Sequence, residues 1–398
     1  MLGVSNSIKI RTKERIEELD IIRGYAIFGI LVCNIVLFGY PQEYFSNYFS
    51  GNQSWLDELA TYIRFNFFSD KTFTIFSLLF GIGIGMQYKK DPTRFPRYHI
   101  IRMFLLLMIG LFHAIIIWYG DILSLYSILG LLVLVIIHLR IKYLVIISIL
   151  VFLWPTIQTI LIRNEYLDFR FESYESLPSD QLIEMNTTHG LVGHFKYNFM
   201  QILPTLEFYL SFTLYQILSM IIVGIAIVKS DLLQTIHHDL NKYRILLGIT
   251  GFMVLTWNLY YLLLFDLQKT SEPLGFYTYW ALFNLSNIGQ TFFVICALVL
   301  LYRSKTKWLQ KIKVLKYLGR LSLTNYLLQS LLGIFIFKVL GFYGNSSPGV
   351  DMLLAIVLTI FQIILSKYWL ERFGIGPIEG LWRKEAKNIS TLNFTIRI

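Results

Sequence analysis

The stretch "GRLSLTNYLLQS", residues 319–330, decides how the chain is read. It follows a run of lysines and opens a long apolar segment that ends near Gly341. At ~100° per residue, Ser322, Asn325 and Gln329 share one helical face, and Gly333 extends it. A polar stripe with a small residue beside it faces protein or a water-filled cavity rather than lipid. This helix therefore needs an interior to face, and the expected neighbours are the first and third membrane helices.

The rest of the chain supplies such an interior. Of its 398 residues, 55% are hydrophobic and 15% charged, with a mean hydropathy of +0.58. A soluble domain would carry closer to ~25% charge. Apolar runs of membrane-spanning length recur, which predicts an all-α polytopic membrane protein. About ten transmembrane helices are expected, at roughly 22–40, 68–88, 100–118, 122–138, 142–162, 204–228, 244–265, 278–301, 321–343 and 350–370. They form a single membrane domain, with an N-terminal segment over 1–21, a long acidic and aromatic loop over 163–203, and a tail over 371–398.

A net charge of +10 raises the question of nucleic acid. Its distribution answers with a membrane instead. Of the 35 lysines and arginines, 28 fall in segments on one side of the alternating helices; the other seven are Arg64, Lys71, Arg163, Arg170, Lys196, Lys269 and Lys338. This is the positive-inside pattern, and it places both termini in the cytoplasm and the 163–203 loop outside. The two cysteines, Cys33 and Cys296, lie inside predicted helices and imply no disulfide framework. The first apolar segment holds Asp20, Arg23 and Asn34 and lacks a clear cleavage site, so it reads as a retained helix. An abundance of Ile, Lys, Phe, Tyr and Asn points to an AT-rich bacterial genome and hence to the bacterial plasma membrane.

Polar residues within the membrane are costly and mark function or pairing. In "LDIIRGYAIFGILVCN", residues 19–34, Asp20 and Arg23 lie one turn apart and can pair near the inner interface. Asn34 lies deeper. In "SDKTFTIFSLLFGIGIGMQ", Asp70 stands at the outer end, and Gly81 and Gly85 allow another helix to approach closely. No strand precedes "GIGIG" and no Gly-Lys-Ser/Thr follows, so it is not a phosphate loop. In "GLFHAIIIWYGDIL", residues 110–123, His113 lies in the outer half of its helix, Trp118 belongs at the interface, and Asp121 sits in a tight turn. A lone membrane histidine is ordinarily a packing residue. Here Asn34, Asp70 and Asp121 lie toward the same side, and a carboxylate can orient an imidazole for proton transfer. The inner boundary gathers Arg23, Arg102 and Arg320. The helix beginning near Leu321 points its N-terminus there, which favours anions. "ERFGIGPIEGLWRK", residues 371–384, adds Glu379, Trp382 and Arg383 in what reads as an ordered element.

In combination, "LDIIRGYAIFGILVCN", "FSLLFGIGIGMQ", "GLFHAIIIWYGDIL", "GRLSLTNYLLQS" and "GPIEGLWR" closely resemble the YeiB-like family of bacterial multi-pass membrane proteins, a family long labelled as of unknown function. That family is grouped with the transmembrane acyltransferases. The resemblance implies acyl transfer from cytoplasmic acyl-coenzyme A to an acceptor across the membrane. The Leu-Asp-x-x-Arg-Gly start matches that of bacterial O-acyltransferases, which carry a histidine where this chain has Asn34. The lysosomal heparan glucosaminide N-acetyltransferase has asparagine there and its histidine in the next outer loop. The corresponding loop here, "GYPQEYFSNYFSGNQSWLDE", contains no histidine.

Three readings compete, one of them a non-catalytic membrane partner or sensor. In an acyltransferase, His113 is the candidate base and Asp121 or Asp70 orients it. Asn34, Ser322, Asn325, Gln329 and Trp118 would contact substrate or oxyanion, and Arg23, Arg102, Arg320 and Arg383 the coenzyme A phosphates. Asp20 and Glu379 are expected to serve structural pairing. Acyl-coenzyme A is a co-substrate, with no tightly bound cofactor and no metal. The acceptor is an envelope glycan, a lipid or a small molecule. In a transporter or lipid translocator, the same residues form a proton-linked polar path.

Overall fold

The computed structural model describes residues 16–41, 48–49, 54–162, 184, 190–232, 239–264 and 273–391. It is helical throughout, with no strand among the described residues. The helices are α1 Glu17–Gly39, α2 Trp55–Ile63, α3 Lys71–Lys90, α4 Phe95–Phe112, α5 Leu123–Leu132, α6 Ile141–Ile162 and α7 Gly190–Phe208. They continue as α8 Leu214–Lys229, α9 Leu240–Leu264, α10 Pro273–Tyr302, α11 Leu315–Arg320, α12 Ser322–Ile334, α13 Pro348–Phe373 and α14 Pro377–Thr391. Each of the ten apolar stretches is helical, and seven helices among the described residues are long and apolar enough to cross a membrane.

Local sequence sets the boundaries. Ser54 and Asp57 form a reciprocal capping box at the start of α2. Pro348 opens α13, and Gly374 closes it in the left-handed conformation at φ 73°. One π turn, Arg64–Phe68, follows α2, and a second, His113–Ile117, ends the α4 segment. Such turns shift the side-chain register, often at functional sites.

One expectation about a segment changes, and the ordered element read after residue 371 is present. Residues 190–203 are not loop but the first part of α7, while 163–183 and 185–189 lie outside the described residues. The tail after residue 371 holds a further helix, α14, which packs on α4 and α12.

Glycines fix two tight crossings. A Cβ on Gly81 would stand 2.0 Å from the Ile221 carbonyl oxygen, and one on Gly224 2.3 Å from that of Leu78, so α3 and α8 touch backbone to backbone. The same holds for α1 and α11, where a Cβ on Gly24 or Gly319 would come 1.9 Å from a carbonyl oxygen of the other helix. This is small-residue packing, which brings helices together where lipid offers no hydrophobic drive.

Polar contacts divide the bundle into two ends. At one, Lys316 pairs with Glu17 at 3.0 Å, Arg303 with Glu18 at 2.6 Å, and Lys89 with Asp231. At the other, Tyr40 bonds the Ser346 carbonyl at 2.7 Å, Ser347 bonds Asp57 at 2.7 Å, and Lys338 meets His194 at 2.7 Å. The first set joins segments that the charge pattern assigns to the cytoplasm, and the second joins segments it assigns outside. Single cysteines at Lys90, Lys307 and Lys387, in a chain with Cys33 and Cys296 replaced by alanine, are therefore expected to resist an impermeant maleimide on intact cells. Those at Glu58 and Asn345 should react, and one reversal would break the topology.

Candidate functional site

A cavity of ≈ 970 Å³ runs between the two ends. At the basic end it is lined by Arg23, Arg102, Arg320, Arg383, Gln87, Glu379 and Trp382. Phe73, Phe76, Phe80, Leu79, Met103 and Leu106 line its middle. At the far end stand Cys33, Asn34, Arg64, Asp70, Trp118 and Tyr119. Because Arg383 is exposed, the basic end reaches the protein surface.

The arginines at the basic end are held differently. Arg23 pairs with Asp20 at 2.9 Å, one turn away on α1. Arg102 bonds the Gln87 side chain and lies over the Trp382 ring at 4.2 Å, while Trp382 Nε1 donates to the Arg102 carbonyl at 2.8 Å. Arg320 donates to the Gly374 carbonyl at 3.1 Å. The Nε atoms of Arg102 and Arg320 are buried without a hydrogen-bond partner among the described residues. Glu379 lines the cavity but is not free to receive a cation. One oxygen accepts the Leu323 and Thr324 N–H groups at 2.8 and 3.1 Å, and the other accepts the Thr324 hydroxyl at 2.5 Å. The α12 N-terminus, expected to attract a ligand anion, is thus capped by the chain's own carboxylate.

The opening stripe divides. Asn325 donates to Ser366 Oγ at 2.9 Å, and Gln329 donates to the Ile27 carbonyl at 3.0 Å and to Gln362 at 3.3 Å. Gly333 lies against the Phe38 ring. These residues face α1 and α13, not the third membrane helix, and neither Asn325 nor Gln329 lines the cavity. Their hydrogen bonds tie helices together. Ser322 does line the cavity, as does Tyr326, one turn along the same face.

His113 is fully buried, and it does not line the cavity as expected of a base. Its Nε2 lies 2.8 Å from Ser330 Oγ and its Nδ1 3.1 Å from Asp121 Oδ1. Asp70 is not part of this group. Trp118, expected at the lipid interface, is 4% exposed, edge-on to Phe38 at 4.7 Å, and lines the cavity.

The far end is built around the junction before α3. Asp70 adopts φ 64°, an uncommon value for a residue with a side chain, and such strain concentrates at functional sites. Its carboxylate makes no hydrogen bond among the described residues, and Lys71 and Cys33 are its electrostatic neighbours. Arg64, which the motif reading passed over, is buried, donates to the Cys33 carbonyl at 2.5 Å and packs on the Phe49 ring. Its signal was present in the sequence, since Arg64 is one of only seven basic residues outside the cytoplasmic set. Thr72 Oγ1, Trp118 Nε1 and Thr205 Oγ1 line the cavity as buried polar atoms without partners among the described residues. Orphans of this kind at both ends fit a space whose polar occupant spans its length.

The family pattern described as "Protein of unknown function (DUF418)" matches residues 227–387. The chain is 29% identical over 395 residues to the Bacillus subtilis (strain 168) protein YxaH, covering 94% of each chain. It is 26% identical over 413 residues to the Escherichia coli (strain K12) protein YeiB, covering 93% of this chain and 96% of that one. Both relatives are described as uncharacterised.

Proposed function

With the chain belonging to the YeiB-like family, we propose that it is a membrane acyltransferase. It would stand in the bacterial plasma membrane with about ten passes and both termini inside. One observation carries the reading: a single cavity joins a cluster of four arginines at one end to a polar cluster around Asp70 at the other. Acyl-coenzyme A has the matching form, with phosphates at one end of a long arm and a thioester at the other. Arg102, Arg320 and Arg383 would hold the phosphates, because guanidinium groups form charge-assisted bonds to them. The apolar middle would carry the arm.

At the far end, Asp70 would take the proton from the acceptor hydroxyl or amine as it attacks the thioester carbonyl. Of the two carboxylates that line the cavity among the described residues, it is the one not bonded to a helix end. Asn34 and Trp118 Nε1 would donate to the developing oxyanion. Purified protein should bind palmitoyl-coenzyme A, and Arg320→Gln and Arg383→Gln should each weaken binding by roughly ten- to a hundredfold, the worth of a hydrogen bond to a charged group. Unchanged affinity in both variants would remove the phosphate site and the reading with it.

A second reading gains from the placement of His113. With no imidazole on the cavity wall among the described residues, the same path suits a translocator of an amphipathic anion, with Asp70 as its titrating group. Proton-coupled flux in liposomes without release of coenzyme A would favour it.

A further inference from the structure

We propose that Ser330, His113 and Asp121 form a nucleophilic site beside the cavity, screened from it by Tyr326, in which Ser330 carries the acyl group between donor and acceptor. This rests on the acyltransferase reading above and divides its single step in two.

The three side chains stand in nucleophile–base–orienter order. Ser330 Oγ is 2.8 Å from His113 Nε2, and His113 Nδ1 is 3.1 Å from Asp121 Oδ1. Asp121 is anchored through its other oxygen, which accepts the Ser124 N–H at 2.8 Å. Gly110 makes room for that carboxylate, since a Cβ there would fall 2.8 Å from Asp121 Oδ2. The Nδ1–Oδ1 approach is close but poorly aligned, and such contacts commonly tighten only when substrate binds. The order of roles, rather than position in the chain, identifies a triad of this kind.

Ser330 and His113 are 1% and 0% exposed, but His113 packs directly against two rings of the cavity wall. The Tyr326 ring centre is 5.1 Å from that of His113, and the Trp118 ring centre 6.3 Å. Both rings line the cavity. Ser322, Tyr326 and Ser330 recur every four residues on α12, so Ser330 continues the face that already meets the cavity. Among the described residues, the Tyr326 hydroxyl is tethered only by two long contacts, to the Gly120 carbonyl and the Ile122 N–H, each at 3.4 Å. Turning that ring opens the site.

In the first step, Ser330 Oγ bonds to the thioester carbonyl carbon and its proton passes to His113 Nε2. The carbon–sulfur bond breaks, and the departing sulfur takes that proton and leaves as a thiol. Asp121 faces the other ring nitrogen and stabilises the transient imidazolium. In the second step, an acceptor hydroxyl or amine gives its proton to His113 as it attacks the serine ester. The carbon–Oγ bond breaks and the proton returns to Ser330. Asp70 then orients the acceptor.

The test uses a fluorophosphonate carrying a fluorophore, on the full chain in detergent, with the labelled peptide identified by mass spectrometry. Ser330 should label slowly in the unaltered protein and faster in Tyr326→Ala. In the Tyr326→Ala background, His113→Gln should slow labelling by ~10²–10⁴-fold, the usual worth of a general base, and Ser330→Ala should abolish it. Melting curves separate these outcomes from misfolding, and Tyr326→Phe offers a milder opening if Tyr326→Ala fails to fold. Folded Tyr326 variants with Ser330 unlabelled, or labelling indifferent to His113→Gln, would overturn the proposal. Palmitoyl-coenzyme A binding measured alongside keeps the two readings apart. No label with binding intact sinks this site alone, whereas label without binding sinks the acyl-coenzyme A donor.

Discussion

Asp70→Asn is expected to leave the protein folded and able to bind acyl-coenzyme A while lowering acyl transfer by ~10²–10⁴-fold. Three observations make the expectation specific. The carboxylate lines the far end of the cavity and makes no hydrogen bond among the described residues, so its loss breaks no hydrogen bond, and its electrostatic neighbour Lys71 keeps its bond to the Phe65 carbonyl. Asn has the same shape, and among residues with side chains it tolerates a positive φ best after glycine, so the 64° backbone angle at this position survives. The change therefore removes the group that takes the acceptor's proton in the single-step reaction, or orients the acceptor if Ser330 carries the acyl group, and little else. Release of coenzyme A thiol from palmitoyl-coenzyme A, followed in membranes that hold the acceptor, gives the rate. The loss should fall on kcat, with KM for the acyl donor nearly unchanged, because the arginines proposed to hold its phosphates lie at the opposite end. Full activity in Asp70→Asn would exclude this carboxylate as the base.

Gly319→Leu is expected to destabilise the protein and weaken acyl-coenzyme A binding together. The space for even a Cβ at Gly319 is taken by the Asp20 carbonyl oxygen, 1.9 Å away, and backbone cannot move aside as a side chain can. Overpacking usually costs ~1–3 kcal/mol, and here α1 and α11 must separate. That separation displaces Arg320 and Ser322, which follow directly and line the cavity. Gly248→Leu is the control, since nothing lies within 4 Å of its Cβ position. A melting temperature for Gly319→Leu equal to that of Gly248→Leu would show that the crossing is looser than described.

Helix positions were legible because apolar length reports on the membrane directly. The Gly81 crossing was legible because small residues at four-residue spacing carry one main message in lipid. The polar stripe on α12 was half legible. Periodicity told that Asn325 and Gln329 face inward, but a helix presents two inward faces in a bundle. Only packing decides that these residues meet Ile27, Gln362 and Ser366 while Tyr326 and Ser330 turn to His113. Glu379 illustrates a second limit. Sequence shows a helix N-terminus and an acid 56 residues later, but not that the acid caps it. His113 and Asp121 could be linked from eight residues' separation because a tight turn lies between them. Their isolation from the cavity depends on Tyr326, more than two hundred residues away, and no local pattern reports that.

The proposed acyl transfer requires one elongated ligand lying across the membrane with its phosphates at the arginines and its reacting carbon near Asp70. The most direct test is a cryo-EM structure with a ketone analogue of palmitoyl-coenzyme A, in which a methylene replaces the thioester sulfur and prevents transfer. Continuous density is expected from Arg102, Arg320 and Arg383 along Phe76 and Phe80 to a carbonyl beside Asp70 and Trp118. An empty cavity at saturating analogue, or density confined to the lipid-facing surface, would contradict it.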